Sequence, residues 1–232
     1  MSISLDELIA RYERLGTADV YDILDQMGYP NQALSSEIRA LAPNMLVAGP
    51  AYTVQGRSYR ADAPSQASSY QMFREIVPQS VLIMAMDGHR ISGPWGENSS
   101  ISAQMRGARG AVLDGATRDL NAIVALGFST FARAVTPVFS QGRYEIVSWQ
   151  QPIKMSGQVQ SEVTVHPGDF VLADNDGVVI IPAAVIQDVL LAAERLAEIE
   201  QEIRVGLRSG QDRESVYMRL PKFDHIRKVN KP

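Results

Sequence analysis

Six consecutive apolar residues, Val81-Leu82-Ile83-Met84-Ala85-Met86, leave this chain few folds to choose from. A strand with one wet face alternates polar and apolar side chains, so an unbroken run predicts a strand covered on both faces. Asp87-Gly88 ends that run. A second short run, Ala111-Val112-Leu113, stands before Asp114-Gly115. Both Asp-Gly pairs read as turns, because Asp bonds its own backbone and Gly accepts positive φ. Between the runs, residues 99–107 read as a crossover helix entered from Gly96-Glu97-Asn98. Strand, helix, strand in that order predicts a right-handed parallel βαβ unit, and with it the α/β class.

The flanking chain extends the pattern. Residues 4–15 carry Ser4 with Glu7 three positions on, a capping box ahead of an apolar stripe. A second helix over 17–27 stops at Gly28-Tyr29-Pro30. Segment 46–54 reads as a strand in which Gly49-Pro50 marks an edge or a bulge. Helices are expected over 66–77 and 120–126, with a strand near 128–132. From 135 to 182 valines alternate with polar residues between turn signals, and 170–173 with 178–181 reads as a hairpin. A long helix over 183–208 follows. One domain is expected over 1–208, then a polar tail, 209–232, docked loosely.

Composition narrows the chemistry. The 232 residues include no Cys, which removes disulfides, thiolate metal sites and Cys nucleophiles. His89, His166 and His225 are scattered, so any metal here is expected on oxygen ligands. Lys154 is the one lysine before Lys222, leaving a Schiff-base mechanism almost no candidate. The net charge of -4 and the lack of a dense basic block before the C-terminus argue against nucleic acid as a partner. No apolar run approaches the ~18 residues of a membrane span. The start is polar and acidic, unlike a signal peptide, and a soluble cytoplasmic protein is expected.

Candidate functional residues gather after the two strands. Arg118 can fork onto a carboxylate, and Asp119 can hold a hard divalent cation. The pair also suits a plain helix start, with Asp119 favoured by the helix dipole. In Gly93-Pro94-Trp95-Gly96-Glu97-Asn98-Ser99-Ser100, glycine permits close backbone approach, and the amides of Asn98, Ser99 and Ser100 open a helix that can bind an anion. The βαβ reading sets this loop beside Arg118-Asp119, so both lips face one crevice. The glycines form neither a dinucleotide fingerprint nor a P-loop, and no G-x-S-x-G occurs. Glu194, Glu198, Glu200 and Glu202 read as a solvated helix face, or as a reach across a subunit boundary.

Gly96-Glu97, the stretch 108–119, and Pro167-Gly168-Asp169 with 173–182 together resemble the divalent-metal pyruvate aldolases of the 4-hydroxy-4-methyl-2-oxoglutarate aldolase type. That family includes the regulator of ribonuclease E activity A. The resemblance runs from 17–25 through the last long helix. It implies a β/β/α swivelling-type single domain with N-terminal helices and a long C-terminal helix, assembled as a homotrimer or hexamer with sites between subunits. It also implies a lyase that releases pyruvate by retro-aldol cleavage or decarboxylates oxaloacetate.

By motif match, Arg118 would bind the pyruvoyl carboxylate with Gly96 and the amides of Asn98 and Ser99. Asp119 would hold Mg²⁺ or Mn²⁺, Glu97 a metal-linked water, and Glu200 would reach another water from a neighbouring subunit. Two alternatives stand beside this reading: a non-catalytic regulator bound to an RNA-processing enzyme, and a metal enzyme of the same fold acting on a different hydroxy or oxo acid. The regulator branch tends to lose the Arg-Asp pair, which this chain keeps. Two departures are visible. Ala122 stands where the aldolase signature usually has an acid, and 142–157 looks like a longer insertion.

Overall fold

The computed structural model describes residues 3–228; positions 1–2 of the expected domain and 229–232 of the expected tail lie outside the described residues. In its first half the chain forms α1 (Leu5–Tyr12), α2 (Thr17–Gln26), β1 (Arg39–Ala40), β2 (Val47–Ser58), α3 (Ser69–Arg74), β3 (Val81–Ala85) and α4 (Glu97–Met105). There follow β4 (Gly110–Thr117), α5 (Leu120–Leu126), β5 (Ser129–Val135), β6 (Tyr144–Trp149), β7 (Ile153–Ser156) and β8 (Glu162–Val165). The chain closes with β9 (Phe170–Ala173), β10 (Val178–Ile181), a 3-10 turn (Ala183–Val185), α6 (Ile186–Arg208) and α7 (Arg213–Arg219).

β2, β3, β4 and β5 pair in parallel, with α4 between β3 and β4 as expected. The large sheet runs β1-β5-β4-β3-β2-β9-β10, with β6 antiparallel to the far half of β2, while β7 and β8 form a separate small sheet. Alternation along the strands sorts the layers. Val81, Ile83 and Ala85 meet Ile153 and Met155 of β7 and Val163 and Val165 of β8. Leu82 and Met84 point the other way, to Met72 of α3, Ala103 of α4 and Ile123 of α5. Along the β9–β10 hairpin, Val171, Ala173, Val178 and Ile180 join the first core. Phe170, Leu172, Val179 and Ile181 pack beneath α1, α2 and α6. Small sheet, large sheet and helices thus stack as a mixed α/β domain, and truncating a central residue such as Ile83 to Ala would cost about 2–5 kcal/mol.

The structure corrects three expectations. Asp114-Gly115 is no turn: β4 continues to Thr117, with its register against β5 shifting between Leu113 and Ala116. Nor does Gly49-Pro50 lie on an edge. There β2 changes partner, pairing with β9 through Pro50 and with β3 from Ala51 onward, so the missing proline N–H falls at the changeover. A register shift does occur in β2, but between Gln55 and Gly56, opposite β6. The tail packs closely. Val216 of α7 is fully buried against α6, Phe223 and Ile226 lie on the N-terminal helices' core, and His225 Nε2 sits 3.0 Å from the Ala192 carbonyl. Residues 142–157 are β6 and β7, integral to the two sheets. No helix among the described residues is long and apolar enough to cross a membrane.

Candidate active site

The site is built where β4 leaves the sheet. Trp95 bridges Thr117 in parallel, and its carbonyl accepts from the Arg118 N–H at 2.9 Å and from the Thr117 hydroxyl at 3.0 Å. The loop after β3 is thereby fastened to the end of β4. Trp95 anchors it from within: the ring is 1% exposed, and its indole N–H donates to Ser100 Oγ at 2.9 Å. Ser100 Oγ in turn donates to the Gly96 carbonyl at 3.0 Å. Asp119 takes the left-handed conformation, φ 59 and ψ 37, which short polar side chains tolerate. Its carbonyl accepts from Ile123, so the same residue that faces the cleft also starts α5.

The side chains of Arg118 and Asp119 are each 33% exposed, at the mouth of a cleft of about 190 Å³. Arg118 Nε donates to Asp119 Oδ1 at 3.2 Å, and the Glu97 backbone N–H donates to Asp119 Oδ2 at 3.2 Å. Phe139 supports the guanidinium, whose carbon lies 5.6 Å from the ring centroid. Gly96 leaves room for the pair: a Cβ there would lie 2.5 Å from Asp119 Oδ2 and 2.9 Å from Arg118 Cγ, and both side chains would have to shift. Asn98 and Ser99 occupy the first turn of α4, and among the described residues their N–H groups have no acceptor. The cleft therefore presents a guanidinium, two open amides and a helix N-terminus to an anion, with a carboxylate alongside.

Of the residues singled out from sequence, Gly96, Asn98, Ser99, Arg118 and Asp119 line the cleft, while Glu97 meets it through its backbone N–H and its exposed side chain is not part of the lining. Glu200 does not join them within the chain. It lies on α6, 16% exposed, paired with Lys222 and 3.9 Å from Arg204. Glu194 is held by Arg11 and Glu198 by Arg195. Arg11 draws the Glu194 carboxyl below its ordinary value. Among the described residues no three His, Asp or Glu side chains cluster as a ready metal cage. Asp119 is, among the described residues, the one carboxylate lining the cleft, and it fits a hard cation that keeps waters and takes its remaining ligands from substrate.

A supporting network beneath the site escaped the sequence reading. Asp114 is 2% exposed and pairs with Arg133, and its other oxygen accepts from the Ser156 N–H at 3.0 Å and hydroxyl at 2.9 Å. Arg133 also reaches Glu37. The resumption of apolar character at Ala116 was the available signal that the strand continues.

The family model described as "RraA-like: Aldolase/RraA" matches residues 17–180. The chain is 27% identical over 211 residues to Protein DlpA of Legionella pneumophila, a match covering 90% of this chain and 33% of that protein. It thus spans about a third of that relative. It is 32% identical over 195 residues to a Halalkalibacterium halodurans protein named "Putative 4-hydroxy-4-methyl-2-oxoglutarate aldolase", covering 84% and 86% of the two chains. Among solved structures it is similar to Streptomyces coelicolor RraAS2, described as an unusual member of the RNase ES inhibitor RraA protein family. That match has a TM-score of 0.76 and 28% identity, and covers 86% of this chain and 97% of the other. With the matched segment spanning most of the chain and the layered fold shared, this protein belongs to the RraA-like family.

Proposed function

We propose that the protein is a divalent-cation-dependent carbon–carbon lyase acting on a 2-oxo acid, by retro-aldol cleavage to pyruvate, by oxaloacetate decarboxylation, or both. The observation that carries this reading is the Arg118–Asp119 pair at one cleft mouth, facing the open amides of α4. The aldolase naming of the Halalkalibacterium relative supports it. Arg118 forks onto the substrate carboxylate, and the Asn98 and Ser99 N–H groups donate to the same group. Asp119 holds Mg²⁺ or Mn²⁺, and Glu97, whose N–H bonds Asp119, orients water and relays a proton. The cation, when bound, supplies a Lewis acid toward the 2-oxo oxygen. Arg118 and the α4 dipole offset the charge that bond cleavage leaves on the pyruvoyl fragment.

A homo-oligomer, trimer or hexamer, is part of the proposal, with an α6 glutamate of a neighbouring copy completing the site. Glu200 can serve there once it leaves Lys222. The likeness to RraAS2 favours a second reading, a regulator that binds an RNA-processing enzyme. Such a regulator has no need of a guanidinium and a carboxylate held over open amides. Incubation with oxaloacetate and Mg²⁺ or Mn²⁺, followed by pyruvate detection, separates the two. Cation-dependent turnover that is lost in Asp119→Ala supports the lyase; no pyruvate with either metal, from oxaloacetate or from 4-hydroxy-2-oxo acids run in parallel, rejects it.

A further inference from the structure

Beside the Arg118–Asp119 cleft lies a larger cavity of about 320 Å³, and the two share Pro94, Ser99 and Ser140 as a common wall. Its lining is mixed: Ser69, Ser99, Ser140 and the Tyr144 hydroxyl, unpartnered among the described residues, stand beside apolar side chains. Met72 of α3, Met84 of β3 and Trp95 are each 1% exposed, and Phe73 stands with its ring 5.9 Å from that of Trp95. No Lys, Arg or His lines it. Its one carboxylate, Glu145, is already engaged, accepting from the Ser65 N–H at 2.8 Å and from Arg57 Nε at 2.8 Å. Those two donors hold Glu145 below the ordinary carboxylate range.

We infer that in retro-aldol cleavage this cavity receives the fragment beyond the pyruvoyl group, and that this fragment is an uncharged carbonyl compound, aromatic or branched, in place of a second 2-oxo acid. The inference rests on the proposed reading of the Arg118–Asp119 cleft. A carboxylate entering the cavity would lose water and find hydroxyl donors, Tyr144 among them, but among the described residues no cation free to pair with it, since Arg57 is already held by Glu145. A phenyl group would pack against Phe73 and the edges of Trp95, Met72 and Met84. With a 4-hydroxy-4-aryl-2-oxobutanoate, the C3–C4 bond breaks and the C4 hydroxyl gives up its proton, so C4 departs as the aryl aldehyde. The electron pair stays on C3, which takes up a proton to become the methyl of pyruvate.

Calorimetry on the whole chain with Mg²⁺ tests this with three ligands that share one head group: pyruvate, 2-oxoglutarate and 4-phenyl-2-oxobutanoate. The phenyl compound should bind at least about tenfold more tightly than 2-oxoglutarate. In Ser69→Arg, which sets a cation at the exposed rim of the cavity, that preference should shrink or reverse. Phe73→Arg, deeper in the same wall, should do the same. Pyruvate binding accompanied by equal or tighter binding of 2-oxoglutarate overturns the cavity inference and leaves the lyase reading standing. Failure of all three ligands to bind overturns the lyase reading, and the inference with it.

Discussion

Gly96→Ala isolates the geometry on which the proposed chemistry depends. Gly96 has φ -163, an extended conformation open to any residue, so alanine costs nothing in the backbone there. The obstacle is the neighbour: the new Cβ would stand 2.5 Å from Asp119 Oδ2, where ordinary contact begins at 3.4 Å. The carboxylate must therefore retreat by 3.4 less 2.5, about 0.9 Å. Its hydrogen bond from the Glu97 N–H, 3.2 Å long, would stretch or break. Misplacing a reacting group by ~1 Å costs about 100-fold in rate, equivalent to about 2.7 kcal/mol of barrier. We expect kcat/KM for oxaloacetate decarboxylation to fall about 100-fold while the melting temperature stays within a few degrees. Gly210→Ala provides the contrast. At φ +77 with no atom near the new Cβ, it should lose about 1 kcal/mol of stability and keep its activity. Full activity in Gly96→Ala, or a melting loss that accounts for the rate loss, would refute the reasoning.

Other substitutions test separate parts of the account. Arg118→Lys keeps the charge but loses the planar fork, so KM for oxaloacetate should rise about tenfold or more in steady-state assays. Asp114→Ala leaves Arg133, 7% exposed, without its buried partner. A loss of about 3 kcal/mol is expected, read as a drop of several degrees in thermal melting. Ala122→Asp restores a carboxylate one helical turn from Asp119, and calorimetry should show Mg²⁺ binding tightened about tenfold. His89 is 5% exposed between Ser58 and Ser92, and burial pushes its pKa below the ordinary histidine value. The unfolded chain then takes up this proton first, so stability is full above the unfolded value of about 6.5 and declines as pH falls through it. Melting curves between pH 7.5 and 5.5 should show that decline, and His89→Gln should flatten it.

The parts of the fold readable from sequence were those whose signals are local. The run at 81–86 announces a strand covered on both faces, and Ser4 with Glu7 announces a helix start that the Ser4 hydroxyl does cap. The two loops of the cleft follow from the order of strands and helices, which sets neighbouring strand ends side by side. Where the reading failed, the deciding partner was distant in the chain. Asp114 before Gly115 has the local chemistry of a turn, but Arg133 and Ser156 convert it into a buried strand residue. Pro50 looks like an edge marker until β9 and β3 are seen to divide β2 between them. The tail has too short an apolar pattern to declare its docking, which comes from Val216, Phe223 and the Lys222–Glu200 pair. The larger cavity draws on α3, β3, the loop after β3, and β6, segments that no sequence window joins.

The most direct test of the central claim is a crystal structure of the protein with oxalate and Mg²⁺, oxalate being the planar mimic of the pyruvate enolate. The account predicts a cation bonded to the Asp119 carboxylate, one oxalate carboxylate forked by Arg118, and the Asn98 and Ser99 N–H groups donating to it. A cation and oxalate bound elsewhere, or a cleft that stays without either while Asp119 remains engaged only with Arg118 and the Glu97 N–H, would contradict it.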